Sequence, residues 1–147
     1  MEIRLAAEED IEQLFELESS CFPDPWSRKS IRDTMKEEQS YFAVAVSDGK
    51  IIGYINTTYV LDEMNLNRIC VLPQYRRMGA AGKLMEGMFA HARQNGLVQI
   101  FLEVRVSNLP AQQLYKRFGF TVVGERKGFY QNPPENGLVM TAQVDNA

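Results

Sequence analysis

The sequence predicts a mixed sheet covered by helices rather than a doubly wound parallel sheet, and three observations carry that prediction. Hydrophobic periodicity gives the element order β-α-α-β-β-β-α-β-α-β-β. A Gly-containing turn joins two apolar runs as a hairpin, and Val71 to Lys83 reads as a strand, a turn of small residues and a helix. The 147 residues, 45% of them hydrophobic, match one compact domain over 1–147 with a proper core.

Each element has a local reason. Glu2 to Leu5 is strand-like, and an amphipathic helix follows from about Glu8 to Ser20, with Ile11, Leu14, Phe15 and Leu17 at helical spacing. Glu8, Glu9 and Asp10 complement the dipole in its first turn. The prolines of Cys21 to Trp26 force a loop, and Ser27 is a good N-cap for a helix through about Lys36. Tyr41 to Val46 and Ile51 to Tyr59 flank Ser47-Asp48-Gly49-Lys50 as a hairpin. Strand Asn65 to Val71 leads through the small-residue turn into a helix from about Ala80 to Gln94, which stops at Asn95-Gly96. Leu97 to Val106 is the next strand. Ser107 or Asn108 caps the following helix, Pro110 fits its first turn, and Gly119 closes it. Phe120 to Lys127 and Leu138 to Val144 form an antiparallel pair around the loop Gln131 to Gly137.

Composition narrows the partners. A net charge of −3 argues against non-specific binding to DNA, RNA or an anionic membrane and suits a basic peptide. The amino terminus lacks the basic and apolar regions of a signal peptide, and no apolar run approaches a membrane span, so a cytoplasmic location is expected. Neither Cys21 nor Cys70 sits in metal-ligand spacing with His91, so neither metal catalysis nor a disulfide scaffold is expected.

In the turn itself, Gly79, Ala80, Ala81 and Gly82 let consecutive backbone N–H groups converge on an anion at the positive end of a helix. Gly82-Lys83 is followed by Leu84 and comes too soon after Gly79 for a nucleotide-hydrolase loop, and G-A-A-G is not a dinucleotide fingerprint. An ordinary, closely packed helix start is the competing reading. The spacing Arg76-x-x-Gly79-x-Ala81 resembles the pyrophosphate-binding element of the GNAT acyltransferases. Together with the element order, the early helix pair and the late segment N-L-P-A-Q-Q-L-Y-K-R-F-G-F, that resemblance covers nearly the whole chain. It implies a mixed, mostly antiparallel twisted sheet flanked by helices, with acetyl-CoA as cosubstrate and no metal.

Three segments narrow the resemblance. Phe22 to Ser27, Leu102 to Asn108 and Ala111 to Phe120 are similar to the bacterial ribosomal-protein-alanine N-acetyltransferases. That similarity implies a protein N-terminal α-amine as acceptor, alanine on a small-subunit ribosomal protein in particular, and direct transfer in a ternary complex. An α-amine, with a pKa of roughly 7.7 to 8.0 against roughly 10.4 for lysine, needs only modest help in losing its proton. Lysine, a small amine or a non-catalytic coenzyme A sensor are the alternatives; the last is opposed by the presence of both Glu103 and Tyr115. The last hairpin keeps R-K-G-F-Y but lacks the acidic pair often seen before the final strand, which leaves the acceptor peptide the least constrained.

Strand alternation puts Phe101, Glu103 and Arg105 on one face and Ile100, Leu102 and Val104 on the other. Partial burial of Glu103 would make it a better proton acceptor, whereas an ion pair with Arg105 is the structural alternative. The resemblance implies that Glu103 is the general base. Tyr115 shares a helical face with Ala111 and Phe118 and is expected to pack inward; the resemblance implies that its hydroxyl protonates the departing thiolate. It also implies that Ile69, Cys70 and Val71 offer main-chain hydrogen bonds to the pantetheine arm, that Arg77, Met78, Gly79, Ala80, Ala81 and Gly82 hold the pyrophosphate, and that Asn108 contacts the coenzyme near its thiol. Cys70 otherwise reads as a small apolar residue, with a thiol nucleophile as the weaker alternative. The acceptor would enter between the Phe22 to Trp26 and Phe129 to Gly137 loops, where Trp26 and Tyr130 are candidate contacts; half-buried loop packing, the commoner fate of a lone tryptophan, is the alternative.

Overall fold

The computed structural model describes residues 1–145. Seven strands form one sheet in the order β1-β2-β3-β4-β5-β7-β6: β1 Glu2–Leu5, β2 Ser40–Ser47, β3 Lys50–Val60, β4 Glu63–Val71, β5 Gln99–Arg105, β6 Thr121–Tyr130 and β7 Glu135–Gln143. Every neighbouring pair is antiparallel except β4 with β5. Helices α1 (Ile11–Cys21) and α2 (Arg28–Met35) cover one face, where Leu14, Leu17 and Ile31 pack on Phe42, Val44 and Tyr54. On the other face α3 (Ala80–Gln94) and α4 (Leu109–Arg117) bury Leu84, Met85, Met88 and Tyr115 against Ile100, Leu102 and Val104. The expected mixed sheet between helices is the fold.

Local chemistry explains where boundaries differ from expectation. Glu8–Asp10 is a 3-10 turn and α1 begins at Ile11. The Asp10 carboxylate accepts from the Ala7 N–H at 2.8 Å and from Arg4 at 2.8 Å, which tightens that turn. The hairpin between β2 and β3 narrows to Asp48-Gly49, with φ of 50° and 76°, as a two-residue turn with both residues left-handed requires. Leu61, also left-handed at φ 55°, turns β3 into β4 two residues before the expected strand start. Strand β7 starts at Glu135 because Gly137 pairs with both Arg105 and Arg126, and this shortens the predicted loop.

The sheet is interrupted where it matters for function. Strands β4 and β5 pair only through Glu63↔Gln99, Met64↔Ile100 and Asn65↔Phe101. At Asn67 the β3–β4 register shifts, from Thr57↔Leu66 to Asn56↔Arg68, and the bulge bends β4 away from β5. The Asn67 amide anchors this bend, donating to Asn56 at 3.0 Å and to Thr58 at 3.1 Å. Beyond it a wedge opens through the sheet.

Two features hold β4 in place. Cys21, at the end of α1, is disulfide-bonded to Cys70, which corrects the expectation of unpaired cysteines. Forty-nine residues separate the two, so only the packing of α1 on β4 brings their Cα atoms to 6.5 Å. Opposite them, a Cβ on Gly53 would lie 2.6 Å from the Cys70 carbonyl oxygen and 3.1 Å from the Val71 side chain. Gly53→Ala should therefore push β3 off β4 and destabilise the protein by about 2 kcal/mol, as overpacking does. Thermal unfolding should register a loss of several degrees, whereas Gly82→Ala, whose Cβ meets only Phe118 at 4.0 Å, should leave the midpoint nearly unchanged.

Candidate active site

The wedge is the mouth of a cavity of about 790 Å³ that crosses the sheet. On the α3/α4 side it is lined by Ala81, Ala111, Leu114 and Tyr115, and on the α1/α2 side by Cys21, Phe22, Asp24 and Arg68. Glu103, Arg105 and Tyr130 form the β5 and β6 wall, opposite Ile69 to Val71 on β4.

Register decides what the β4 edge presents. Leu72 donates to Ile52 at 2.8 Å, so pairs alternate from there: Cys70 exchanges its backbone bonds with Tyr54, while Ile69 and Val71 turn theirs away from β3. Since β5 has departed, the N–H and C=O groups of Ile69 and Val71 face the wedge, and Arg76 Nε meets the Val71 carbonyl there at 3.3 Å. The main chain of Cys70 is committed to β3, and its sulfur to Cys21, so of the three predicted residues it offers the cavity neither backbone groups nor a free thiol.

At the end of β4 the turn has the shape its small residues suggested. Arg77 and Gly79 both adopt left-handed φ, 75° and 81°, and Gly79 is the N-cap of α3. The first α3 backbone bond runs from Lys83 N–H to the Gly79 carbonyl at 3.1 Å. The N–H groups of Ala80, Ala81 and Gly82 precede it and point out along the helix axis, an arrangement suited to an anion. Ala80 is buried, Ala81 reaches the cavity, and the Met78 side chain is exposed.

Glu103 and Tyr115 line the same cavity from different elements. The predicted alternation of β5 is observed, with Ile100, Leu102 and Val104 buried and Phe101, Glu103 and Arg105 less so. The Glu103 side chain is 30% exposed and meets Arg126 on β6 at 3.5 Å, not Arg105. Arg105 instead pairs with Glu135 at 3.2 Å. Tyr115 is buried against Phe120, and burial, reinforced by Tyr130, raises its hydroxyl well above the ordinary phenol range. Asn108 caps α4 by accepting from Ala111 at 3.3 Å, and the Gln112 amide donates to the carbonyls of Arg105 and Val106, which fixes α4 to the end of β5.

The two loops expected at the acceptor end meet across the mouth, where Asn132 donates to Asp24 at 3.0 Å. Tyr130 lines the cavity, and burial followed by the Glu103 charge pushes its hydroxyl up to about 12. Trp26 does not line the cavity: it packs against the α1/α2 core beneath Arg68, and Phe22 and Asp24 form the wall in its place. Sequence reasoning passed over Glu18 and Arg68, whose side chains are 1% and 20% exposed and lie 3.6 Å apart. A carboxylate inside a helix and an arginine inside an apolar strand were the available signals. Burial pushes the Glu18 carboxyl up, against the Trp26 N–H and Arg68 that hold it down.

A helix-flanked sheet split between two parallel strands, with an anion-ready turn at one end of the split, makes a through-going site suited to an extended ligand with an anionic group at one end. Residues 11–120 match the acetyltransferase (GNAT) family, and the chain belongs to it. It is 33% identical over 138 residues to the ribosomal protein bS18-alanine N-acetyltransferase of Haemophilus influenzae, spanning 92% of this chain and 93% of that one. It is also 31% identical to an N-alpha-acetyltransferase of Sulfurisphaera tokodaii, over 97% of this chain and 92% of that one. The crystal structure of the ribosomal-protein-S18-alanine N-acetyltransferase from Escherichia coli superposes with a TM-score of 0.90 at 28% identity, covering 99% of this chain and 95% of that one.

Proposed function

We propose that this acetyltransferase moves acetyl from acetyl-CoA directly to the N-terminal α-amine of a protein, alanine on a ribosomal protein being the acceptor, and works in the cytoplasm as one domain. The observation that carries this reading is that Glu103 and Tyr115 line one cavity, beside the β4 edge at Ile69 and Val71 that neither β3 nor β5 hydrogen-bonds. The full-length similarity to the Haemophilus influenzae enzyme supports the acceptor.

The residues present suit the cosubstrate. The exposed β4 edge can pair with an extended amide-bearing arm as an added strand would, and the N–H groups of Arg77 to Gly82 can take its pyrophosphate. Asn108 stands at the head of α4, beside the cavity. In the reaction the amine nitrogen bonds to the acetyl carbon, the carbon–sulfur bond breaks, and its electron pair leaves on sulfur. Glu103 takes the proton the nitrogen loses, and Tyr115 gives its proton to the thiolate. The Val71 N–H polarises the acetyl carbonyl. Both acceptor loops, with Tyr130 on one and Trp26 behind the other, shape the amine's entry.

The test is coenzyme A release with Ala-, Ser- and Met-starting peptides, an N-terminally blocked lysine peptide and spermidine. Release with the free Ala terminus and none with the blocked peptide is expected; preference for lysine or spermidine overturns the acceptor. A second prediction concerns the turn. Gly79→Ala meets no atom within 4 Å but forces a side chain into φ 81°, at a cost of about 1 to 2 kcal/mol. The KM for acetyl-CoA should rise roughly tenfold, since 1.4 kcal/mol is a factor of ten, with the acceptor KM unchanged.

A further inference from the structure

Two arginines stand at the acceptor end of the cavity, one on each of the strands that diverge there. Arg68, on β4, donates to the Asp24 carbonyl at 3.0 Å and lies over the rings of Phe22 at 4.1 Å and Trp26 at 4.9 Å. Its partner Glu18 also accepts from the Trp26 N–H at 2.8 Å and from the Tyr54 hydroxyl. Arg105, on β5, donates to the carbonyls of Gln131 and Pro133, both at 2.8 Å, and lies 4.6 Å from the centre of the Tyr130 ring. Its partner Glu135 also accepts from the Ser107 N–H at 2.7 Å. The same construction thus occurs twice: a half-buried guanidinium, paired with a carboxylate behind it, donates to loop carbonyls, one for Arg68 and two for Arg105, and lies over aromatic rings at the base of the loop.

We propose that Arg68 and Arg105 are the positioning residues of the acceptor entrance, each fixing one loop so that the opening leads an incoming amine to Glu103. The proposal rests on the α-amine reading above. A guanidinium supplies several donors in one plane and a flat face for stacking, and an ammonium supplies neither, so lysine keeps the charge while losing the grip. Charge alone could be met by any cation. The carbonyl bonds and ring contacts specify arginine, and they are made to the two loops that form the mouth, not to the coenzyme side of the cavity. Because Glu18 and Glu135 offset the guanidinium charges, the two arginines fix the loops while adding little repulsion toward a protein terminus arriving as an ammonium.

The experiment compares Arg68→Lys and Arg105→Lys with the wild type, measuring KM separately for acetyl-CoA and for an Ala-starting peptide, and recording the emission of Trp26, the sole tryptophan. Each variant should raise the peptide KM about tenfold, the equivalent of one good anchoring interaction, and leave the acetyl-CoA KM within about twofold. Arg68→Lys should also shift Trp26 emission to the red, and Arg105→Lys should not. Unchanged peptide KM in both variants overturns the proposal, as does an equal rise in both KM values, which would mark a general loss of fold. Should the wild type turn over only lysine or spermidine, the α-amine reading fails on its own; the KM for that amine and the Trp26 emission then judge the arginines.

Discussion

Replacing Glu103 by glutamine should lower kcat/KM for an α-amine peptide by about 10² to 10⁴-fold at neutral pH, the range general-base catalysis contributes. Glutamine keeps the shape and polarity of the side chain but cannot accept a proton. The effect has a chemical signature, because the variant must rely on acceptor that is already neutral. With an α-amine pKa of roughly 7.7 to 8.0, the neutral fraction rises steeply up to about pH 8 and then levels, so the deficit should shrink as pH rises through that interval. A lysine acceptor would show no levelling until much higher pH. Stability should change little, since the one ion pair lost is a long contact to Arg126, which is 56% exposed, and such pairs contribute at most about 1 kcal/mol. Steady-state rates of the variant from pH 6 to 9.5 decide the matter. Full activity at pH 6.5 would remove Glu103 from the mechanism.

How far the sequence discloses this site depends on whether a residue acts through its neighbours along the chain or across it. The anion-ready turn is local: Gly79 and the small residues after it set the backbone by themselves, and Arg77 to Gly82 form the turn that was expected. The β5 alternation is equally local, and it put Glu103 on the right face. What periodicity did not disclose is the bulge at Asn67, because one unpaired residue in a strand leaves no mark in hydropathy, yet that bulge opens the wedge. Nor could spacing reveal that Cys21 meets Cys70, or that Arg105 turns to Glu135 while Glu103 turns to Arg126. These pairings span 23 to 49 residues and exist only after β6 and β7 have folded back or α1 has docked. Trp26 is the instructive case. Its loop made it a candidate acceptor contact with half-buried packing as the alternative, and the packing is what forms, because Arg68 and Glu18 hold it behind Phe22.

Replacing Tyr115 by phenylalanine separates the packing seen for its ring from the proton donation proposed for its hydroxyl. The ring packs on Phe120 at a centroid distance of 5.9 Å and belongs to the larger core, so Tyr115→Ala should destabilise the fold by about 3 to 5 kcal/mol, as the loss of a buried aromatic does. Phenylalanine preserves that packing and removes only the hydroxyl. The variant should keep its thermal midpoint and both KM values while losing about 10²-fold in kcat, because a hydrogen bond to a developing thiolate exists only in the transition state. The leaving group supplies the decisive control. An acetyl thioester of a more acidic thiol needs less help in departing, so it should restore much of the rate to Tyr115→Phe and little to Glu103→Gln. The wild-type pH profile carries a related signature: burial raises the Tyr115 hydroxyl above its ordinary value of 10.0, so its neutral, donating form persists and the rate should not fall between pH 8 and 9.5. A kcat for Tyr115→Phe equal to that of wild type would assign the tyrosine to packing alone, and would leave the thiolate to be protonated by water or by the ammonium side of the reaction.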